Sequence, residues 1–87
     1  MFKKIRSIKI PYRRQGLIYF TCINIKSQPE HTQRKIKKLC EEVGGVDSPA
    51  LFEMLTTENC SVPGICSKYF VNEKKLYKMR KNFYERW

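Results

Sequence analysis

Four times after its first quarter the chain repeats one local pattern. A short polar side chain able to cap a helix is followed, within two residues, by a proline or an acid: Ser27-Gln28-Pro29-Glu30, Asp47-Ser48-Pro49, Ser61-Val62-Pro63 and Asn72-Glu73. A capping oxygen satisfies backbone N–H groups that a new helix leaves unpaired. Proline in the first turn sacrifices no hydrogen bond, and an acid there meets the positive end of the helix dipole. Each start leads into apolar residues at spacings of three and four. Ile36, Leu39, Cys40 and Val43 follow the first, Leu51, Phe52 and Leu55 the second, Val62, Ile65, Cys66 and Tyr69 the third, and Leu76, Met79, Phe83 and Trp87 the fourth. Gly44-Gly45 stops the first helix, since glycine takes a left-handed C-cap without steric cost. Polar Thr56 to Asn59 separates the second from the third. The punctuation predicts about four helices between residues 27 and 87.

The first 26 residues read differently. Ile5, Ile8 and Ile10 precede a turn-like Tyr12-Arg13-Arg14-Gln15-Gly16, and LIYFTCINIK then alternates imperfectly with many branched and aromatic side chains. Such side chains fit a pleated, half-buried surface, so this part is expected to be a short strand or β-hairpin. Two strands alone are marginal in water. The segment must therefore pack on the helices, pair with another chain, or stay partly loose. The expected fold is mainly α: a basic strand-like segment over 1–26, then a helical domain over 27–87 with a helix-turn-helix at 61–87.

Size and charge bound what such a domain does. At 87 residues the chain makes one small core, and its 41% hydrophobic content is enough to pack it. Eighteen Lys and Arg against eight Asp and Glu give a net charge of +10. Self-repulsion at that charge opposes compaction, so the excess points to a polyanionic partner, with nucleic acid ahead of a membrane surface. No apolar run reaches the length of a membrane span, and the apolar stretch at Leu17 to Ile25 lacks an export cleavage site. A cytoplasmic location is expected. Cys22, Cys40, Cys60 and Cys66 show no paired metal-ligand spacing, and His31 is the lone imidazole, so reduced thiols packed as small apolar groups are expected rather than zinc. No acid trio for two-metal chemistry, no Ser/His/Asp grouping and no phosphate-cradling glycine loop is evident, so neither catalysis nor a cofactor is expected.

The stretch SVPGICSKYFVNEKKLYKMRKNFYERW carries the sharpest signal. Val62, Ile65, Cys66 and Tyr69 form the buried side of one helix, Val71 anchors a turn, and Leu76 and Met79 anchor the next helix. Asn72, Glu73, Lys74, Lys75, Tyr77, Lys78 and Lys81 are left outside, with Arg80 and Arg86 close by. Phe83, Tyr84 and Trp87 are read as packing groups. That is the division of labour of a helix-turn-helix, in which one helix braces a second in the major groove.

The same residues resemble the helix-turn-helix of small insertion-sequence transposase subunits. The matching positions are Ser61-Val62, Ile65-Cys66, Tyr69-Phe70-Val71-Asn72, Leu76-Tyr77, Met79 and Arg80-Lys81, with ALFEMLTTENC lying where that family has its first helix. The resemblance covers roughly the last 40 residues and implies a three-helix DNA-binding unit. It departs from the family at Phe70, where the family has its turn glycine, and at Pro63-Gly64, where the family has two helix formers. A looser or differently shaped turn and a weakened bracing helix follow as expectations.

The leading expectation is a non-catalytic protein of a mobile element or regulator that binds double-stranded DNA through Asn72, Lys74, Lys75, Tyr77, Lys78 and Lys81. Arg34 and Lys38 would flank the same phosphate backbone. The alternative is a mobile-element-encoded inhibitor or adaptor whose N-terminal segment joins a partner's sheet edge or forms a homodimer. RNA is a third partner that the charge favours equally, though the helix-turn-helix spacing does not.

Overall fold

A computed structural model describes Ile5 and residues 8–87 of the chain. Five α-helices account for most of it: α1 (Tyr12–Ile23), α2 (Glu30–Gly44), α3 (Ser48–Thr56), α4 (Val62–Tyr69) and α5 (Glu73–Arg86). Short 3-10 turns at Ile25–Ser27 and Gly45–Asp47 lead into α2 and α3. α3 lies at the centre, packed against α1, α2, α4 and α5, and α2 also packs along α5.

The predicted strand or hairpin is not formed among the described residues. Tyr12 to Gly16, read as a turn, is the first part of α1, and the branched and aromatic stretch continues it. Tertiary burial overrides β propensity here. Gln15, Ile18 and Cys22, at helical spacing, are fully buried, which two-residue alternation would not achieve. Gln15 carries the part of this arrangement that periodicity does not show. Its amide donates to the carbonyls of Ile8 and Ile10 at 3.0 Å each and of Ile5 at 3.3 Å, while its oxygen accepts from the Ile5 N–H at 2.9 Å. One side chain thus satisfies the backbone of an incoming segment that has no sheet partner to do so. With Ile8, Ile18 and Cys22 joining the common core, residues 8–26 are integral to the domain and not a detachable arm. The remaining expected strand residues, 1–4, 6 and 7, lie outside the described part.

The later helices follow the capping signals closely. α2 begins after Pro29 with Glu30 in its first turn, so Ser27 stands in the 3-10 turn before it and does not cap it. It ends on Gly45 at φ 56° and ψ −123°, a backbone conformation open essentially to glycine. Pro49 sits in the first turn of α3. Ser61 caps α4 by accepting from the Gly64 N–H at 3.2 Å. A Cβ on Gly64 would come within 3.2 Å of that same hydroxyl oxygen, so Pro63-Gly64 gives α4 a closely seated cap. Ile36, Leu51, Ile65, Leu76 and Phe83 fill the core, joined by Tyr84.

Candidate nucleic-acid interface

The turn between α4 and α5 sets the direction of the last helix. Phe70 takes the left-handed conformation, φ 56° and ψ 43°, and the Val71 N–H donates to the Cys66 carbonyl at 3.0 Å. This six-to-one bond with a buried Val71 behind it is a Schellman closure, which normally places glycine where Phe70 stands. Of the two expected outcomes, a looser or a differently shaped turn, neither is found: the turn is tight and keeps the left-handed conformation with phenylalanine in place of glycine. Phe70 is 94% exposed, so its ring adds almost no burial in return.

Asn72 starts α5. Its side-chain oxygen accepts from the Lys74 N–H at 2.8 Å and the Lys75 N–H at 3.4 Å. With the helix start fixed, the 3.6-residue repeat fixes the rest. Leu76, Met79, Phe83 and Tyr84 are buried. At 100° per residue, Lys74, Lys78 and Lys81 share an arc of roughly 60° directly opposite them. Lys74 and Lys78 are exposed and Lys81 is half-buried, and among the described residues none of the three forms an ion pair. Glu85 marks the C-terminal limit of this face, and Glu73 lies off it beside the cap.

Other basic residues are already engaged. Lys75, roughly 60° from Lys78 around the helix, pairs with the half-buried Asp47 at the α2–α3 junction. It thus pins the start of α5 to that junction more than it extends the lysine face. Arg86 pairs with Glu42 of α2 at 3.6 Å, and Lys35 lies over the Trp87 ring at 4.1 Å. Arg34 forms a long, exposed contact with Glu30 at 3.9 Å. Lys38 borders a shallow depression with Lys35, Glu42 and Arg86, near the end of α5 and away from its start. The structure thus gathers Asn72, Lys74, Lys78 and Lys81 on one helix and leaves Arg34 and Lys38 on another.

Aromatic groups divide as their spacing implies. Phe83 and Tyr84 are buried, and Trp87 packs on Phe83 with ring centroids 5.7 Å apart. Tyr77 is exposed, and the Arg80 guanidinium stacks 5.0 Å from its ring centre. Arg80, expected only to lie close to the outward lysines, has a more definite place. It falls on the buried stripe, one turn beyond Leu76 and one before Tyr84, and is itself partly buried. The signal was present in the sequence, because residues 76, 80 and 84 are spaced i, i+4, i+8.

α4 is held against α3 by a polar clamp. Glu53 accepts from Lys68 Nζ and from the Tyr69 hydroxyl, both at 2.9 Å. The Lys68 hydrogen bond first, and then that from Tyr69, lowers the Glu53 carboxyl below its ordinary value. The thiols behave as two classes. Burial pushes Cys22 and Cys40 up to about 12, which removes thiolate character, while Cys60 and Cys66 are half-buried. No group of three or more candidate metal ligands occurs among the described residues, and no helix there is long and apolar enough to cross a membrane. Comparison with known proteins returned no matching family model, no similar characterised protein and no similar solved structure.

Proposed function

We propose that the chain is a non-catalytic double-stranded-DNA-binding protein of the helix-turn-helix class. α5 lies in the major groove, and α4 braces it across the phosphate backbone. One observation carries this reading. A capped helix follows a tight left-handed turn and presents Lys74, Lys78 and Lys81 on a single unpaired face, while nearby cations are tied to acids or rings. Lysines act as point charges, so phosphate contact dominates and base reading is modest. Asn72, already committed to capping, and exposed Tyr77 are the groups at hand for contacts beyond phosphate. A helix-turn-helix of this kind accords with the resemblance to small transposase subunits, and hence with a cytoplasmic mobile-element or regulatory protein. The adaptor reading loses its strand-pairing arm over residues 12–23, which are helical.

The test is a binding titration at several salt concentrations on duplex DNA, single-stranded DNA and RNA. Neutralising phosphates releases counterions, at about 0.9 log–log slope unit per contact for duplex DNA. The triple substitution Lys74→Ala, Lys78→Ala, Lys81→Ala should flatten the duplex slope by about two to three units while leaving the circular dichroism spectrum unchanged. An unaltered slope in the folded variant, or a clear preference for single strands or RNA, overturns the assignment.

A further inference from the structure

The buried stripe of α5 contains one group that does not belong in a core. Arg80 lies between Leu76 and Tyr84, and among the described residues its buried Nε has no hydrogen-bond partner. A desolvated N–H left unpaired is destabilising, and more so when it is part of a charged group. Burial accordingly works against the charged guanidinium. Among the described residues no carboxylate pairs with it. The undescribed positions are Met1, Phe2, Lys3, Lys4, Arg6 and Ser7, none of which has an acidic side chain to offer.

Arg80 lines a cleft of about 280 Å³ between α1, α5 and the loop that joins α3 to α4. Met54, Leu55 and Val62 give it apolar walls, and Thr57, Asn59 and Cys60 give it a polar rim. The volume is at the bottom of the range of about 300–1,000 Å³ typical of small-molecule sites, so an occupant must be small. Tyr77 covers one flat face of the guanidinium, which leaves its edge as the site for a ligand. Arg80 lines the cleft, and carboxylates meet a guanidinium edge through two parallel N–H···O bonds.

We propose that this cleft is a binding site for a small organic acid, with Arg80 pairing its carboxylate and the Met54, Leu55 and Val62 walls covering its apolar body. The site is separate from the lysine face: Arg80 projects from the opposite side of α5. It therefore stands whether or not the chain binds DNA. An inorganic oxyanion offers nothing to the apolar walls, and a neutral amide of the same shape lacks the charge that the guanidinium requires.

The experiment is an NMR titration of the full chain with 3-phenylpropionate, using 3-phenylpropionamide and inorganic phosphate as comparisons. The acid should shift the amide signals of Thr57, Asn59 and Cys60 and the Nε–Hε signal of Arg80. It should bind at least about tenfold more tightly than the amide, as loss of a charge-assisted pair implies. Arg80→Met should abolish the response in a protein that keeps its dispersed spectrum. Equal binding of acid and amide overturns the proposal, as does a response to phosphate as strong as that to the acid. So do shifts confined to Lys74, Lys78 and Lys81. The comparison of acid with amide uses the unaltered protein, so it decides the matter even where Arg80→Met fails to fold.

Discussion

Replacing Phe70 by glycine should make the protein more stable, although it deletes a large apolar side chain. Phe70 holds φ 56°, ψ 43° at the end of α4 and is 94% exposed. For an L-residue with a Cβ the left-handed region costs about 1–2 kcal/mol, and the ring recovers little of that by burial. Glycine removes the steric term but gives the unfolded chain more freedom, which offsets about 0.4–1 kcal/mol. The net gain for Phe70→Gly is about 0.5–1 kcal/mol. Phe70→Ala keeps the Cβ, and hence the strain, and should stay within about 0.5 kcal/mol of the parent. The difference between the two variants isolates the backbone contribution. Urea unfolding followed by far-ultraviolet circular dichroism is the assay. With a slope of about 1 kcal/mol/M, the glycine variant should unfold roughly 0.5–1 M later than the parent at unchanged slope. In thermal melts the gain corresponds to a few degrees, given about 4–8 °C per kcal/mol at this size. Glycine and alanine variants with the same midpoint would refute the reasoning, because the turn would then not be left-handed in solution.

Two further perturbations probe the scaffold. Gln15→Leu retains bulk but strands the backbone groups of Ile5, Ile8 and Ile10. It should cost about 2 kcal/mol and lower the melting temperature by roughly 10 °C; an unchanged melt would show that the segment before α1 is not held by this side chain. Glu53 has a carboxyl depressed by Lys68 and Tyr69, so its contribution is present above the ordinary carboxylate value near 4.5 and fades as pH falls below it. Melting temperature measured from pH 7 to pH 3 should therefore fall less steeply for Glu53→Gln than for the parent, and parallel curves would contradict the clamp.

The helices from residue 30 onward were legible because their boundaries are chemical as well as periodic. Gly45, Pro49, Ser61 and Asn72 each sit at a helix end that demands their residue type. The first helix was not legible, for two physical reasons. Its sequence is rich in side chains that suit strands, and its buried stripe contains Gln15, a polar residue that hydrophobic patterning excludes from a core. The amide is buried because it replaces the hydrogen bonds a sheet would have supplied. Only the three-dimensional placement of Ile5 and residues 8–10 reveals that. The buried position of Arg80 is equally hard to read, because a charged residue on a surface helix ordinarily faces water. The lysine face of α5 was legible because Asn72 fixes the helix phase and Leu76, Met79 and Phe83 fix its buried side. What the sequence could not express was which cations were already spoken for, since Asp47 meets Lys75 only once the α2–α3 junction is folded against α5.

That pairing bears on how the proposed interface would work. Net charge alone attracts a polyanion from any side, and it selects no orientation. Orientation comes from the difference between engaged and unengaged cations. Lys75, Lys35 and Arg86 are tied to Asp47, Trp87 and Glu42, all around the contact between α2 and α5. These contacts fix the α5 axis near both of its ends, and they cancel or cover charge on its flank. Lys74, Lys78 and Lys81 form no ion pair among the described residues and lie on the side of α5 turned away from the body of the domain. On the proposed DNA-binding reading, an approaching duplex would meet the lysine face of α5 along one line. The loss of Asp47 would do more than expose Lys75: it would loosen the start of α5 and blur the direction in which its lysines point.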